Sequence, residues 1–126
     1  MCSSDLQAGD LGKAKVEVNG QFVEISAQAA ADAIDASTPE TGRGPYDHAI
    51  DVNRTPQNGE YPIVLLSYQL ACTQYDDPQT AANVKGLLSL IVSDQGQQLA
   101  AQNAGSAPIS DELRTEAETA IAAIQT

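Results

Sequence analysis

Tryptophan is absent from this 126-residue chain, and phenylalanine, methionine and histidine occur once each. With aromatic residues at only 4% and a hydrophobic fraction of 42% drawn largely from alanine, the composition suits helices packed closely on a sheet in an ordinary soluble globular protein. Basic residues are also scarce, 6 against 17 acidic ones, for a net charge of -11. That balance argues against a surface built to attract nucleic-acid phosphates or anionic lipid heads. No stretch approaches the roughly 20 apolar residues that a membrane-spanning helix needs; the densest patch, around Ile63 to Leu66, has strand length. Met1 to Asp10 lacks the basic start, apolar core and small-residue cleavage site of a secretory signal.

Cysteine is the next scarcity, with only Cys2 and Cys72 present. A lipid-modified Cys2 would need a preceding apolar segment, and there is none. Met1-Cys2-Ser3-Ser4-Asp5-Leu6 is instead what the DNA string GTGTGCTCTTCCGATCT encodes, which resembles a sequencing-adapter end. Residues 1–6 are therefore expected to be a non-native leader, with Cys72 the only native cysteine. Cys72 closes an apolar run, where a buried and unreactive thiol is expected.

Val16 and Val18, then Phe22, Val23 and Ile25, flank Asn19-Gly20, whose positive φ angles suit a two-residue hairpin turn. Ser26 is placed to cap a helix through Ala36 with Ala29, Ala30, Ala33 and Ile34 on its apolar side, stopped by Thr38-Pro39. From Pro39 to Pro62, prolines and glycines interrupt every period and predict loop with at most a turn of helix. Residues 63–72 then read as a strand, apolar on both faces in its first half and so expected inside a sheet covered on two sides. Asp77-Pro78 opens a helix whose face is Ala81, Val84, Leu88, Ile91 and Val92. Asp94 with Gln97 predicts a capping box for a second helix, with Leu99, Ala100 and Ala104 as its stripe and Gly105 as its stop. Ser110, with Asp111 and Glu112 in the first turn, opens a last helix burying Leu113, Ala117, Ala120, Ile121 and Ile124. A single strand apolar on both faces has no neighbours in this order of elements, which predicts that its sheet is supplied by chain absent here.

Constellations that could carry chemistry are few. Gly42-Arg43-Gly44 could cradle an anion, but no strand precedes it and no helix follows at phosphate-loop spacing, so a plain turn is the better reading. His48 beside Asp47, with Ser67 or Ser106 as nucleophile, would require sequence neighbours to point at one another, and a solvated loop histidine is the simpler account. One histidine, one native cysteine and dispersed carboxylates give no metal-ligand spacing. Tyr61, Tyr68 and Tyr75 recur every seven residues across loop, strand and turn, and read as three separate packing tyrosines. No catalytic residue, metal or cofactor is expected. A small interaction domain that pairs the strand across two copies is the alternative from another class.

The segments Tyr61-Pro62-Ile63-Val64-Leu65-Leu66-Ser67-Tyr68, Val84 to Ser93, Gly96-Gln97-Gln98 and Gly105 to Ser110, together with Gly42 to Ile50, resemble the carboxy-terminal end of the phosphate-binding protein of bacterial ABC phosphate importers, the PstS type, in its actinobacterial form. The resemblance runs from about Gln7 to the end and is carried by the order and spacing of the pieces. It implies an α/β fold, namely the carboxy-terminal fragment of a two-lobed, type II periplasmic-binding-protein-like fold with a hairpin, one central-type strand and about four helices. Residues 7–60 would belong to the second lobe and 61–126 would complete the first, with Tyr61 and Pro62 near the return hinge. The implied parent is exported, lipid-anchored outside the membrane, binds inorganic phosphate and delivers it to a permease. The family's phosphate contacts lie upstream of this region, so no phosphate-binding residue is expected here, and Arg43 and Arg54 are not read as ligands.

Overall fold

The computed structural model describes residues 11–57 and 59–126; the expectations for residues 1–6, for Cys2 and for a native start at Gln7 lie outside them. The described chain is mixed α/β, with four helices and two small antiparallel sheets. Strands β1 (Val16–Val18) and β2 (Gln21–Val23) form the expected hairpin, in the register Val16 to Val23 and Val18 to Gln21. Asn19 (φ 51°) and Gly20 (φ 83°) supply the two positive angles of its turn, the geometry whose twist matches that of the flanking strands. Val18 and Val23 turn inward, while Phe22 is 71% exposed.

Helix α1 (Ala27–Asp35) begins where Ser26 accepts the amide of Ala29 at 3.1 Å. It buries Ala29, Ala30, Ala33 and Ile34, the four residues the periodicity selects. The segment expected as plain loop holds one addition: β3 (Thr38–Pro39) pairs with β4 (Ile50–Asp51), closing the loop between them. Two-residue pairings of this kind rest on tertiary placement, because they are too short to leave a periodic signal.

Helix α2 (Pro78–Val92) starts at Asp77, whose carboxylate accepts the Thr80 amide at 2.9 Å and the Thr80 hydroxyl at 2.6 Å. These bonds, the side-chain one first, hold the Asp77 carboxyl below its ordinary value. Ala81 is buried and Val84, Leu88, Ile91 and Val92 are half-buried, as the spacing predicts. Helix α3 (Asp94–Ala104) departs from the expected capping box. Ser93 is the cap: its hydroxyl donates to Leu90 O at 2.7 Å, closing α2, and accepts the Gly96 amide at 3.1 Å, opening α3. Gln97 therefore sits one position too late to reach back to the cap. It instead bridges two segments, donating to Ile91 O at 2.8 Å and accepting the Ile109 amide at 3.0 Å.

This junction also sets the covered side of α3. Gly96, Gln97, Ala100 and Ala101 are half-buried, whereas Leu99 and Ala104 are exposed. Gly105, at φ 61°, ends the helix in the left-handed conformation that glycine tolerates. Helix α4 (Asp111–Ala122) is capped by Ser110 and turns Leu113, Ala117, Ala120 and Ile121 inward, with Ile124 buried just beyond it. Helix α2 packs on both α3 and α4. The end of the chain is tied down where Gln125 donates to Thr73 O at 2.8 Å and accepts the Tyr75 amide at 3.0 Å.

The expected strand is overturned. Residues 63–72 form no strand, and no ladder bond joins them to any other described residue. Only one face is covered: Val64 is buried and Leu66 half-buried, while Ile63 and Leu65 are 68% and 61% exposed. A strand exists only as one member of a ladder, and no described element lies alongside to complete one.

Candidate functional site

The best-organised polar network surrounds Tyr61-Pro62. Its foundation is the last turn of α1, where the Ser37 hydroxyl donates to Ala33 O at 2.9 Å and accepts the Asn53 amide at 2.9 Å. The Asn53 side-chain oxygen accepts from the amide and hydroxyl of Thr55 at 2.9 and 3.0 Å, a local turn of the kind asparagine favours. Glu60 then accepts the Gln57 amide at 2.8 Å. Tyr61 follows, 8% exposed, its amide donating to Ala29 O at 2.9 Å. Arg54 Nη1 donates to Pro62 O at 3.2 Å and to Val64 O at 3.3 Å. Helix α1 and the loop residue Arg54 thus hold the hinge candidates Tyr61 and Pro62 in place, although the segment itself has no secondary structure.

Tyr61 and Val64 join Val18, Val23, Ala29, Ala30, Ala33, Ile34 and Ala107 in one hydrophobic cluster. Residues from both sides of position 60 share it. Alanines form much of the cluster and no large side chain in it is fully buried, so the apolar area removed from water is small.

Beyond Val64 the segment forms one wall of a cavity of about 670 Å³. Leu88 and Ile91 of α2 and Ala117 and Ile121 of α4 line the opposite side, and His48 borders it. Cys72 lies on the segment wall and is exposed, which corrects the expectation of a buried thiol: an apolar run shields its terminal cysteine only when something covers the run. Tyr68 and Tyr75 do separate work, their hydroxyls accepting the amides of Ile50 at 3.0 Å and Cys72 at 3.1 Å.

The residues that could have built a reactive centre are not assembled into one. Asp47 accepts from Arg43 at 2.8 Å and from the Ala49 amide at 3.2 Å, and the Arg43 bond is the main cause that holds its carboxyl below the ordinary value. His48 Nδ1 lies 3.4 Å from Glu116 Oε2 of α4. Its Nε2 is buried with no hydrogen-bond partner among the described residues, so neither Ser67 nor Ser106 is bonded to it. Gly42 (φ 77°) shapes a turn, and Arg43 spends its charge on Asp47 and, at 4.0 Å, Glu40. Arg114 meets Asp94 and Asp111, Lys15 meets Glu24, and Lys85 donates to Ala122 O. Among the described residues there is no group of three His, Cys, Asp or Glu side chains able to hold a metal ion, and no helix long and apolar enough to cross a membrane.

The arrangement is thus a pinned segment at Tyr61-Pro62 that leads into an open apolar cleft, without a convergent set of charged groups among the described residues. Comparison with known proteins gives a partial likeness. The chain is 38% identical over 71 residues to phosphate-binding protein PstS 3 of Mycobacterium tuberculosis, a stretch covering 56% of this chain and 19% of that protein. PstS3 of Mycobacterium bovis gives the same figures, and PstS 3 of Mycobacterium leprae is 37% identical over 68 residues, 54% of this chain and 18% of the relative. The chain therefore spans about a fifth of the length of the curated relatives it matches. No protein-family model matches the chain, and no solved structure matches it. The sequence missed the polar network around Arg54 and Ser37, whose partners lie apart in the chain and carry no spacing signal.

Proposed function

We propose that this chain is the carboxy-terminal part of the extracytoplasmic phosphate-binding component of an ABC phosphate importer. The observation that carries this reading is the identity shared with mycobacterial phosphate-binding proteins. In this reading the chain is scaffold in a type II two-lobed binding fold. Residues 7–60 belong to the second lobe, Tyr61 and Pro62 form the return hinge, and residues 61–126 complete the first lobe. Pinning by Arg54 and Tyr61 suits a hinge, since a crossing segment must hold its ends firmly while its dihedral angles absorb lobe movement. The parent protein would be lipid-anchored, bind inorganic phosphate and hand it to the permease, with no reaction catalysed.

The phosphate contacts themselves belong elsewhere in the parent. Arg43, Arg54 and Arg114 are already engaged by carboxylates or carbonyl oxygens, which leaves no convergent donor set for an oxyanion among the described residues. The test is a chimera in which the matched stretch of the M. tuberculosis relative is replaced by that of this chain. Calorimetry should find saturable phosphate binding by the chimera and none by the present chain alone. A folded chimera that fails to bind phosphate, or saturable binding by this chain alone, overturns the proposal.

A further inference from the structure

Asn19-Gly20 shapes the hairpin turn and is also its chemically weakest point. Glycine has no side chain to screen its backbone nitrogen, and that nitrogen can attack the side-chain amide of the asparagine before it. Both residues are exposed, so water reaches the turn. The folded turn nevertheless holds each reacting group away from the other. With Asn19 at φ 51° and Gly20 at φ 83°, the backbone is that of a type I′ turn, in which the Gly20 nitrogen lies opposite Cβ across the Asn19 Cα–C bond. Ring closure between them therefore requires the turn to open. Glu17 Oε1 accepts the Gly20 amide at 2.7 Å, and Asn19 Nδ2 donates to the carbonyl oxygen of Pro56 at 3.2 Å. The attacking nitrogen and the amide under attack are thus both held by other groups.

We propose that Asn19 is a deamidation site, which the closed turn keeps unreactive and local opening of the hairpin releases. On opening, the Gly20 nitrogen gives its proton to solvent base and attacks Asn19 Cγ. The new N–C bond closes a five-membered succinimide, and the side-chain nitrogen leaves as ammonia. Water then adds at one of the two ring carbonyls and breaks its bond to the ring nitrogen, giving aspartate or isoaspartate; nothing is oxidised or reduced. Neither product restores the original turn. Aspartate has lost the donor that reaches Pro56 and sets a carboxylate in the same turn as that of Glu17, in a chain of net charge -11. Isoaspartate adds a backbone methylene that a two-residue turn does not accommodate. Because the Asn19 bond joins the hairpin to the loop at Pro56, the reaction frees that loop irreversibly.

The test is to incubate the full 126-residue chain in mildly alkaline buffer, with and without denaturant. Mass spectrometry follows the peptide that holds Asn19, with isoaspartate separated by chromatography. Since the reaction passes through local opening, conversion should be at least about tenfold slower in the folded chain than in the denatured one. Glu17→Ala removes the acceptor that holds the Gly20 amide and should speed conversion in the folded chain several-fold, with the helical signal unchanged. Glu24→Ala takes the same charge from the hairpin but breaks only an exposed pair with Lys15, so it should leave the rate where it is. Asn19→Asp should speed amide exchange at Gln57, next to Pro56, while α2 and α4 keep their rates. Equal conversion in the folded and denatured chains overturns the proposal, as does a denatured chain in which Asn19 stays intact. So do equal rates in the parent and Glu17→Ala, a Glu24→Ala rate raised as far as that of Glu17→Ala, or exchange at Gln57 that Asn19→Asp leaves unchanged.

Discussion

The guanidinium of Arg54 lies 3.2 Å from the carbonyl oxygen of Pro62, so a loop residue holds the backbone of the Tyr61-Pro62 segment from outside it. Its second bond, to Val64 O, brackets Ile63. Since the amide of Tyr61 is anchored on α1 at Ala29, the segment is gripped from a helix and from a loop. Arg54→Ala should release one grip. We expect the Tyr61 amide to exchange several-fold faster by NMR while those of α2 and α4 keep their rates; unchanged exchange at Tyr61 would show that the arginine does not help to hold this segment.

Two glycines on neighbouring helices predict opposite outcomes. A Cβ at Gly96 would collide with the carbonyl oxygen of Leu90, whereas one at Gly86 meets nothing within 4 Å. Gly86→Ala should raise helicity and stabilise α2 by about 1 kcal/mol, because alanine loses less backbone entropy than glycine in a helix. Gly96→Ala should lower helicity, since the α2–α3 junction must open to admit the methyl group. Circular dichroism at 222 nm reads both, and equal shifts in the same direction would contradict the close approach.

Acid should weaken the start of α2. The carboxyl of Asp77 is held below its ordinary 3.8 by the hydroxyl and amide of Thr80. A depressed folded value means that the cap's contribution is present above the unfolded carboxylate pKa and is lost as pH falls through the lower, folded one. Asparagine caps a helix comparably but does not titrate. Asp77→Asn should therefore match the parent closely near neutrality and lose less helicity between about pH 4 and pH 2. Identical acid limbs for the two proteins would remove Asp77 from the account.

Cys72, being exposed, should react with a thiol reagent in the native chain at a rate near that of the denatured one. Peptide mass spectrometry separates its label from that of Cys2. Strong protection in the isolated chain would mean that the cleft closes over residue 72, contrary to the structure.

Much of the helical framework was legible because its signals are local. Ser26 and Asp77 announce the starts of α1 and α2, and Gly105 announces the end of α3, through bonds or dihedral angles that involve residues within one turn. The face of α3 was read wrongly for the same reason. Its cap moved by a single residue to Ser93, which is shared with the end of α2, and the covered side followed the junction rather than Leu99 and Ala104.

By itself the sequence determined the hairpin turn at Asn19-Gly20, the four helices and the apolar character of residues 63–72, all properties of a residue and its near neighbours. Tertiary structure alone decided whether that apolar segment became a strand, whether Cys72 was covered, and which carbonyls Arg54 would hold. A helix satisfies its backbone within itself, whereas a strand draws its partners from elsewhere. For residues 63–72 the described chain has none to offer.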